Sequence, residues 1–241
     1  IVPGVPLINF VDDMLDNYIQ VGIVRAVNTL LMVAAMAFGI AFAVKLCHIE
    51  NFFPTISMVP HHQYWEYAIA AAISAMGFSM IFNIQRRLLW VVAIGGIIAV
   101  CTRNFVNLGP STDNIGLDMG LVIGSFSGAV LVSLIAIKAV HWFHVPNHVL
   151  TIPSVIPMIP GVLMYRMLFG IININVQSID QVTPLMKAIE SGVNSGLVIM
   201  CIALGVAIPN IFGRRFIASS KNKRLAELLK ERKARGKFVE W

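Results

Sequence analysis

The chain has 241 residues, of which 57% are apolar and only 12% charged, with a mean hydropathy of +0.79. Ordinary soluble domains are about 45–50% apolar and about 25% charged, so a soluble enzyme, a disordered segment and a secreted disulfide scaffold are excluded and an integral membrane protein is left. The formal net charge of +6 belongs to one end: residues 214–241 hold ten Lys/Arg and three Glu, against eight basic and nine acidic residues before them.

Residues 1–10 (IVPGVPLINF) read as the tail of a preceding helix, as if the chain opened inside a longer polypeptide. Six apolar runs follow, at roughly 24–46, 64–83, 88–106, 117–140, 149–172 and 188–212, each near the ~20 residues that a helical span requires. Turn and polar residues separate them, as at Asn107-Leu108-Gly109-Pro110 and between Asn173 and Pro184. Basic residues set the orientation: with a cytoplasmic tail, alternation places Arg25, Arg86, Arg87 and Lys138 on the tail's side, and Lys45, Arg103 and Lys187 on the other. A tail beside an anionic leaflet accounts for the pI near 9.5 better than nucleic acid does, because no aromatic-studded basic fold accompanies it. Cys47, Cys101 and Cys201 are odd in number, lack CxxC spacing and sit in or at the end of apolar runs, which predicts buried free thiols. The expected fold class is all-α, a polytopic helical membrane protein of about six spans. Residues 1–47 form the end of a first half, 48–212 a second half of five spans, and 213–241 a basic cytoplasmic tail.

Two short matches suggest an internal repeat. Val2-Pro3-Gly4-Val5 resembles Ile159-Pro160-Gly161-Val162, and Ala37-Phe38-Gly39-Ile40-Ala41 resembles Ala203-Leu204-Gly205-Val206-Ala207. Four full spans lie between the Pro-Gly segments, so corresponding helices are five apart. Five is odd, and the second copy then crosses the membrane in the opposite sense, the inverted-repeat plan of many secondary transporters.

These same segments carry a resemblance to the threonine/serine exporter family. Pro3, Gly4, Pro6, Leu7, Asn9, Asp13, Gly22 and Arg25 match its Pro-Gly-x-Pro-Leu-x-Asn stretch, the Asp after it and a later Gly-x-x-Arg; Phe82, Asn83, Arg86 and Arg87 match Phe-Asn-x-x-Arg-Arg; Pro153, Pro157, Pro160, Gly161, Tyr165 and Arg166 match its Pro-rich helix. Gln85 stands where the family often has Pro, Ser154 where Gly is common, and Asn17-Tyr18 where Gly and a polar residue are usual. The resemblance implies a five-plus-five inverted-repeat transporter, with four spans and a soluble region upstream or on a partner subunit. It also implies export of threonine and serine from the cytoplasm across a bacterial inner membrane, by proton antiport and without a cofactor. Lipid, protons and a homo-oligomer are the remaining expected partners.

The residues themselves point the same way. Pro153, Pro157 and Pro160 lie on one helical face, and each costs about 3 kcal/mol in a helix interior. Lipid offers nothing to the freed carbonyls, which must face protein or a watery cavity. A packing kink is the simpler outcome; a broken helix lining a pathway is the other, and its bare N–H and C=O groups could hold a zwitterion. Asn9, Thr151 and Ser154 are candidate partners for a substrate hydroxyl. Arg166 is costly within a span and either snorkels or faces the pathway, and Arg25 has Asp12, Asp13 or Asp16 as possible partners. For the proton, Asp13 is the first candidate and Glu190 the second, since carboxylates withdrawn from water titrate closer to neutrality; each could instead be a solvated boundary charge. His141, His144 and His148 are spaced three and four apart, but Pro146 interrupts them and no carboxylate is near, so no metal is expected. No GxSxG, HExxH or phosphate-loop motif is present, and no enzyme is expected. A non-transporting membrane scaffold or regulatory subunit remains the alternative. Ser219 and Ser220 could cap an amphipathic tail helix with Leu225, Leu228 and Leu229 on its apolar stripe.

Overall fold

In the computed structural model of the chain, the structure describes residues 4–47, 63–109, 115–143, 145–172 and 182–234, the last stretch in side-chain detail as far as Ile211. Every regular element among them is helical: α1 (Gly4–Leu15), α2 (Ile19–Leu46), α3 (Tyr64–Ile81), α4 (Leu89–Asn107), α5 (Leu121–Phe143), α6 (Asn147–Val155), α7 (Gly161–Ile172) and α8 (Val182–Ala234). Short 3-10 turns at Arg86–Leu88 and Ile156–Met158 lead into α4 and out of α6. Helices are what the composition demands, because a chain in lipid must satisfy its backbone internally.

Four helical segments are long and apolar enough to cross a membrane: Ile19–Ile40, Arg86–Asn107, Leu121–Val140 and Leu185–Ile211. A fifth is available if Asn147–Met158 and Gly161–Ile171, bent by 53° at a short break, count as one span. Each of the six predicted runs contains helix, but 117–120 precede α5, 149–172 is interrupted between Val155 and Gly161, and α3 has 18 residues, short of the ~20 of an upright span.

Two helix ends share a device. At the end of α1, the Tyr18 N–H donates to the Asp13 carbonyl (2.8 Å) and the Asn17 N–H to that of Met14 (3.2 Å), with Asn17 at φ 69°. At the end of α3, Ile84 N–H reaches Ser79 (3.0 Å) and Asn83 N–H reaches Met80 (3.1 Å), with Asn83 at φ 55°. Both are Schellman stops, in which one residue takes the left-handed conformation and the following amides cover the last carbonyls. Asparagine is the best substitute for glycine there, so the departure at Asn17 leaves the turn intact. It also lets α1 continue to Leu15, where a tail ending near residue 10 and a long connection had been expected. Only residues 16–18 separate α1 from α2.

The core joins Ile8 and Val11 of α1 to Ala99 and Val100 of α4, Ala129 and Val132 of α5, Val155 and Met158 at the α6 break, and Val198, Ile202 and Val206 of α8. Small residues let the backbones approach, as is usual between membrane helices. On α5, a Cβ at Gly124 or at Gly128 would lie 2.6 Å from a carbonyl of α4, that of Arg103 or Ala99. Farther along, one at Gly205 of α8 would lie 2.8 Å from the Ala129 Cβ. By contrast α2 is mostly uncovered, with Leu30, Leu31, Phe38 and Phe42 exposed. The cysteines are free, but Cys47, just past the end of α2, is exposed and Cys101 and Cys201 are half-buried, less enclosed than expected. The tail does not restart at Ser219–Ser220, as α8 runs through both. His144 falls outside the described residues, and no group of three potential metal ligands occurs among those described.

Candidate functional site

Proline chemistry decides the centre of the molecule. Pro153, Pro157 and Pro160 have no N–H to give to the carbonyls of Val149, Pro153 and Ile156, four residues back. α6 accordingly tightens into the 3-10 turn, where Ile159 N–H takes over the Ile156 carbonyl (3.0 Å), and the chain stops at Pro160 before α7 starts on Gly161. The Met158 carbonyl, left at the break, accepts from Arg103 Nη1 of α4 (3.3 Å), while Arg103 Nε and Nη2 both reach Asn104 Oδ1 (3.3 Å). Arg103 read as a boundary charge in the sequence. Its adjacent asparagine in the last turn of an apolar run was the available sign that the guanidinium turns inward.

Helix α1 meets this break. A Cβ at Gly4 would run into the Ile159 side chain and lie 3.8 Å from Ile156 Cγ1. The two Pro-Gly segments are thus in contact. α7 begins on the glycine of its Pro-Gly pair, and Gly4, the glycine of the other pair, lies within α1 as described. Their packing is reciprocal as well: α1 lies on α2 and on α8, and α7 lies on α8 and on α2.

The α1–α2 hairpin closes on Gly22, where a Cβ would sit 2.7 Å from Met14 Cγ and 2.9 Å from the Phe10 carbonyl oxygen. One turn farther, Arg25 Nη1 meets Asp13 Oδ2 at 2.5 Å. The Gly-x-x-Arg spacing therefore has a mechanical sense, in that glycine brings the helices together and arginine uses the closeness to pair with Asp13. Beside this pair a groove of about 610 Å³ runs between the helices, lined by Val5, Pro6, Asn9, Gln20, Arg25, Asn28 and Thr29 among others. The Thr29 hydroxyl donates to the Arg25 carbonyl (2.7 Å). Going up α2 from the turn, the lining runs through Gln20, Val21, Val24, Arg25, Asn28, Thr29 and Met32, so polar and apolar groups alternate along it.

A second groove, of about 440 Å³, lies on the other side of Val5 against Asn83, Gln85, His148, Ile152 and Pro153. Gly4, Pro6, Asn9, Asp13 and Arg25 are therefore gathered on one hairpin, with Asn83 and Pro153 across α1 from it. The structure gives Thr151 and Ser154 other work. Both are buried, Thr151 donating to Asn147 O (3.1 Å) and Ser154 to Leu150 O (2.8 Å) and Val92 O of α4 (3.3 Å). Ser154 comes that close because Gly95 faces it. Pro157, Pro160 and Gly161 shape the break, Tyr165 and Arg166 are half-buried along α7, and Glu190 is exposed on α8 outside both grooves. Pro3 lies outside the described residues.

A family model described as "Threonine/Serine exporter, ThrE" matches residues 67–212, more than half of the chain, and a second threonine/serine exporter model matches residues 1–47. No solved structure matches the chain.

Proposed function

This chain belongs to the threonine/serine exporter family, and from that premise we propose that it moves threonine and serine out of the cytoplasm by proton antiport. The family is one of membrane exporters and not of enzymes, and its multi-pass character agrees with the four or five apolar spans described above. The observation that carries the reading is the contact of Gly4 with Ile159, which joins one Pro-Gly segment to the break at the other beside a groove containing Asn9, Gln20, Arg25 and Asn28. Helices interrupted at matching positions of two inverted repeats are where secondary transporters hold substrate. The reciprocal packing of α1–α2 and α7–α8 is what a two-fold relation between repeats would give.

In this reading six spans cross a bacterial inner membrane and the basic tail is cytoplasmic. The pathway follows Pro3, Gly4, Pro6, Asn9, Asp13 and Arg25 on the hairpin, then Asn83 and the broken helix from Thr151 to Gly161, with Tyr165, Arg166 and Glu190 along the second repeat. Thr151, Ser154 and the prolines contribute through the backbone they shape. Access alternates when the α1–α2 and α7–α8 hairpins rock against α4 and α5, and Asp13 carries the proton. The test is uptake of labelled threonine into inverted membrane vesicles under an imposed pH gradient. Gradient-dependent uptake is expected; its absence from vesicles rich in the full-length protein rejects the function.

A further inference from the structure

Asp13 and Arg25 present, 2.5 Å apart, the two charges that an amino-acid zwitterion presents in mirror image. Arg25 is also in the lining of the groove, whose next turn brings Asn9 and Asn28. We infer that the substrate enters by opening this ion pair, its ammonium going to the Asp13 carboxylate and its carboxylate to the Arg25 guanidinium, and that the proton competes with the ammonium for that same carboxylate. The inference rests on the transport reading above and assigns its binding site.

The chemistry favours this site. A zwitterion inserted between the two groups replaces one ion pair by two, and carboxylate on guanidinium is among the strongest charge-assisted contacts. The side-chain hydroxyl of threonine or serine then points up the hairpin toward Asn9 and Asn28, which offer both donors and acceptors. An exclusive choice between proton and ammonium is what antiport requires, since a carrier that binds both at once is a symporter. In one cycle the carboxylate releases the ammonium outside, takes a proton there, and gives that proton up inside. The loaded site holds a neutral zwitterion on a neutral pair. The protonated site retains the charge of Arg25, so each exported molecule brings one positive charge inward.

The groups that could mask the competition include His148, which lines the second groove with Val5 of α1. Arg25 is the charged partner on α2, and Asp12 and Asp16 are the neighbours of Asp13 along the chain. α8, which also packs on α1, has no charged residue between Glu190 and Arg214.

The experiment uses the full chain in proteoliposomes, with equilibrium binding of labelled L-threonine from pH 5 to pH 8. Apparent affinity should be lower at the acid end than at the neutral end, because proton and ammonium compete for one group. On the native protein, threonine methyl ester keeps only the ammonium and N-acetylthreonine only the carboxylate; each should compete at least 30-fold less well than threonine. Asp13→Asn should abolish the pH dependence, and Arg25→Lys should retain more binding than Arg25→Gln. The analogue measurements need no variant and stand even if a substitution prevents folding. Gradient-driven threonine flux with pH-independent binding, or with methyl ester binding as well as threonine, overturns this inference and leaves the exporter reading in place. Absence of flux from the native protein overturns the exporter reading itself.

Discussion

The α4–α5 contact allows the helix packing to be tested quantitatively. Gly124 and Gly128 are one helical turn apart on α5, and the carbonyls they face, Arg103 and Ala99, are one turn apart on α4. An alanine Cβ at Gly128 would stand 2.6 Å from the Ala99 oxygen and 3.0 Å from Met158 Sδ, against roughly 3.4 Å for an ordinary contact. The thioether can swing aside, but the carbonyl cannot. The helices must therefore part locally by about 0.8 Å, the difference of those distances. Overpacking of this kind costs about 1–3 kcal/mol, while replacing a helical glycine by alanine returns about 1 kcal/mol. Gly128→Ala should thus be destabilising by up to about 2 kcal/mol. Gly39→Ala and Gly196→Ala, where a Cβ meets nothing within 4 Å, should gain up to about 1 kcal/mol. The double variant Gly124→Ala/Gly128→Ala should cost less than the sum of its singles, because one separation relieves both clashes. Unfolding in mixed SDS–dodecylmaltoside micelles, followed by circular dichroism, measures the five variants against the parent. Equal stabilities of Gly128→Ala and Gly39→Ala would refute the close-packed α4–α5 seam.

Two further expectations concern the turns and the break. At Asn17 and Asn83, substitution by glycine should preserve or slightly raise stability, and substitution by valine should lower it by about 1–2 kcal/mol at each site, since a β-branched residue resists positive φ. The same micelle titration reads this out; a harmless Asn17→Val would contradict the Schellman assignment. Arg103→Gln should leave the Met158 carbonyl without its full partner, a loss of about 1–3 kcal/mol, with threonine transport reduced at saturating substrate and partly restored by Arg103→Lys. Unchanged maximal transport in Arg103→Gln would show that the break holds its shape without the guanidinium.

Much of the fold can be read from the sequence, and the reason is the solvent. Lipid leaves an apolar run no choice but a helix, so α2, α4, α5 and α8 follow from composition and length alone. Pro153, Pro157 and Pro160 announce the α6–α7 break because a missing N–H is a local fact that no packing can undo. The pairing of Arg25 with one of three nearby aspartates was also visible, but the choice of Asp13 was not, since it depends on how closely Gly22 lets the hairpin shut. The hydroxyls show a related dependence on packing. Thr151 and Ser154 each donate to a carbonyl of their own helix, as hydroxyls in an apolar bundle commonly do, and Ser154 also lines a cavity of about 440 Å³ with Val91, Gly95 and Leu150.

The sequence by itself determined that this is a helical membrane protein with a basic tail, where its helices must break, and which family motifs it carries. Those properties depend on single residues or on runs of neighbours, and physics acts on them before any long-range contact exists. Only the tertiary structure decided that Gly4 lies on Ile159, that Arg103 crosses from α4 to the Met158 carbonyl, and that Arg25 pairs with Asp13 while lining a groove between α1 and α2. These are distances between residues far apart in the chain or on opposite sides of a turn. They are set by how far small side chains let whole helices approach, a quantity summed over every contact in the bundle.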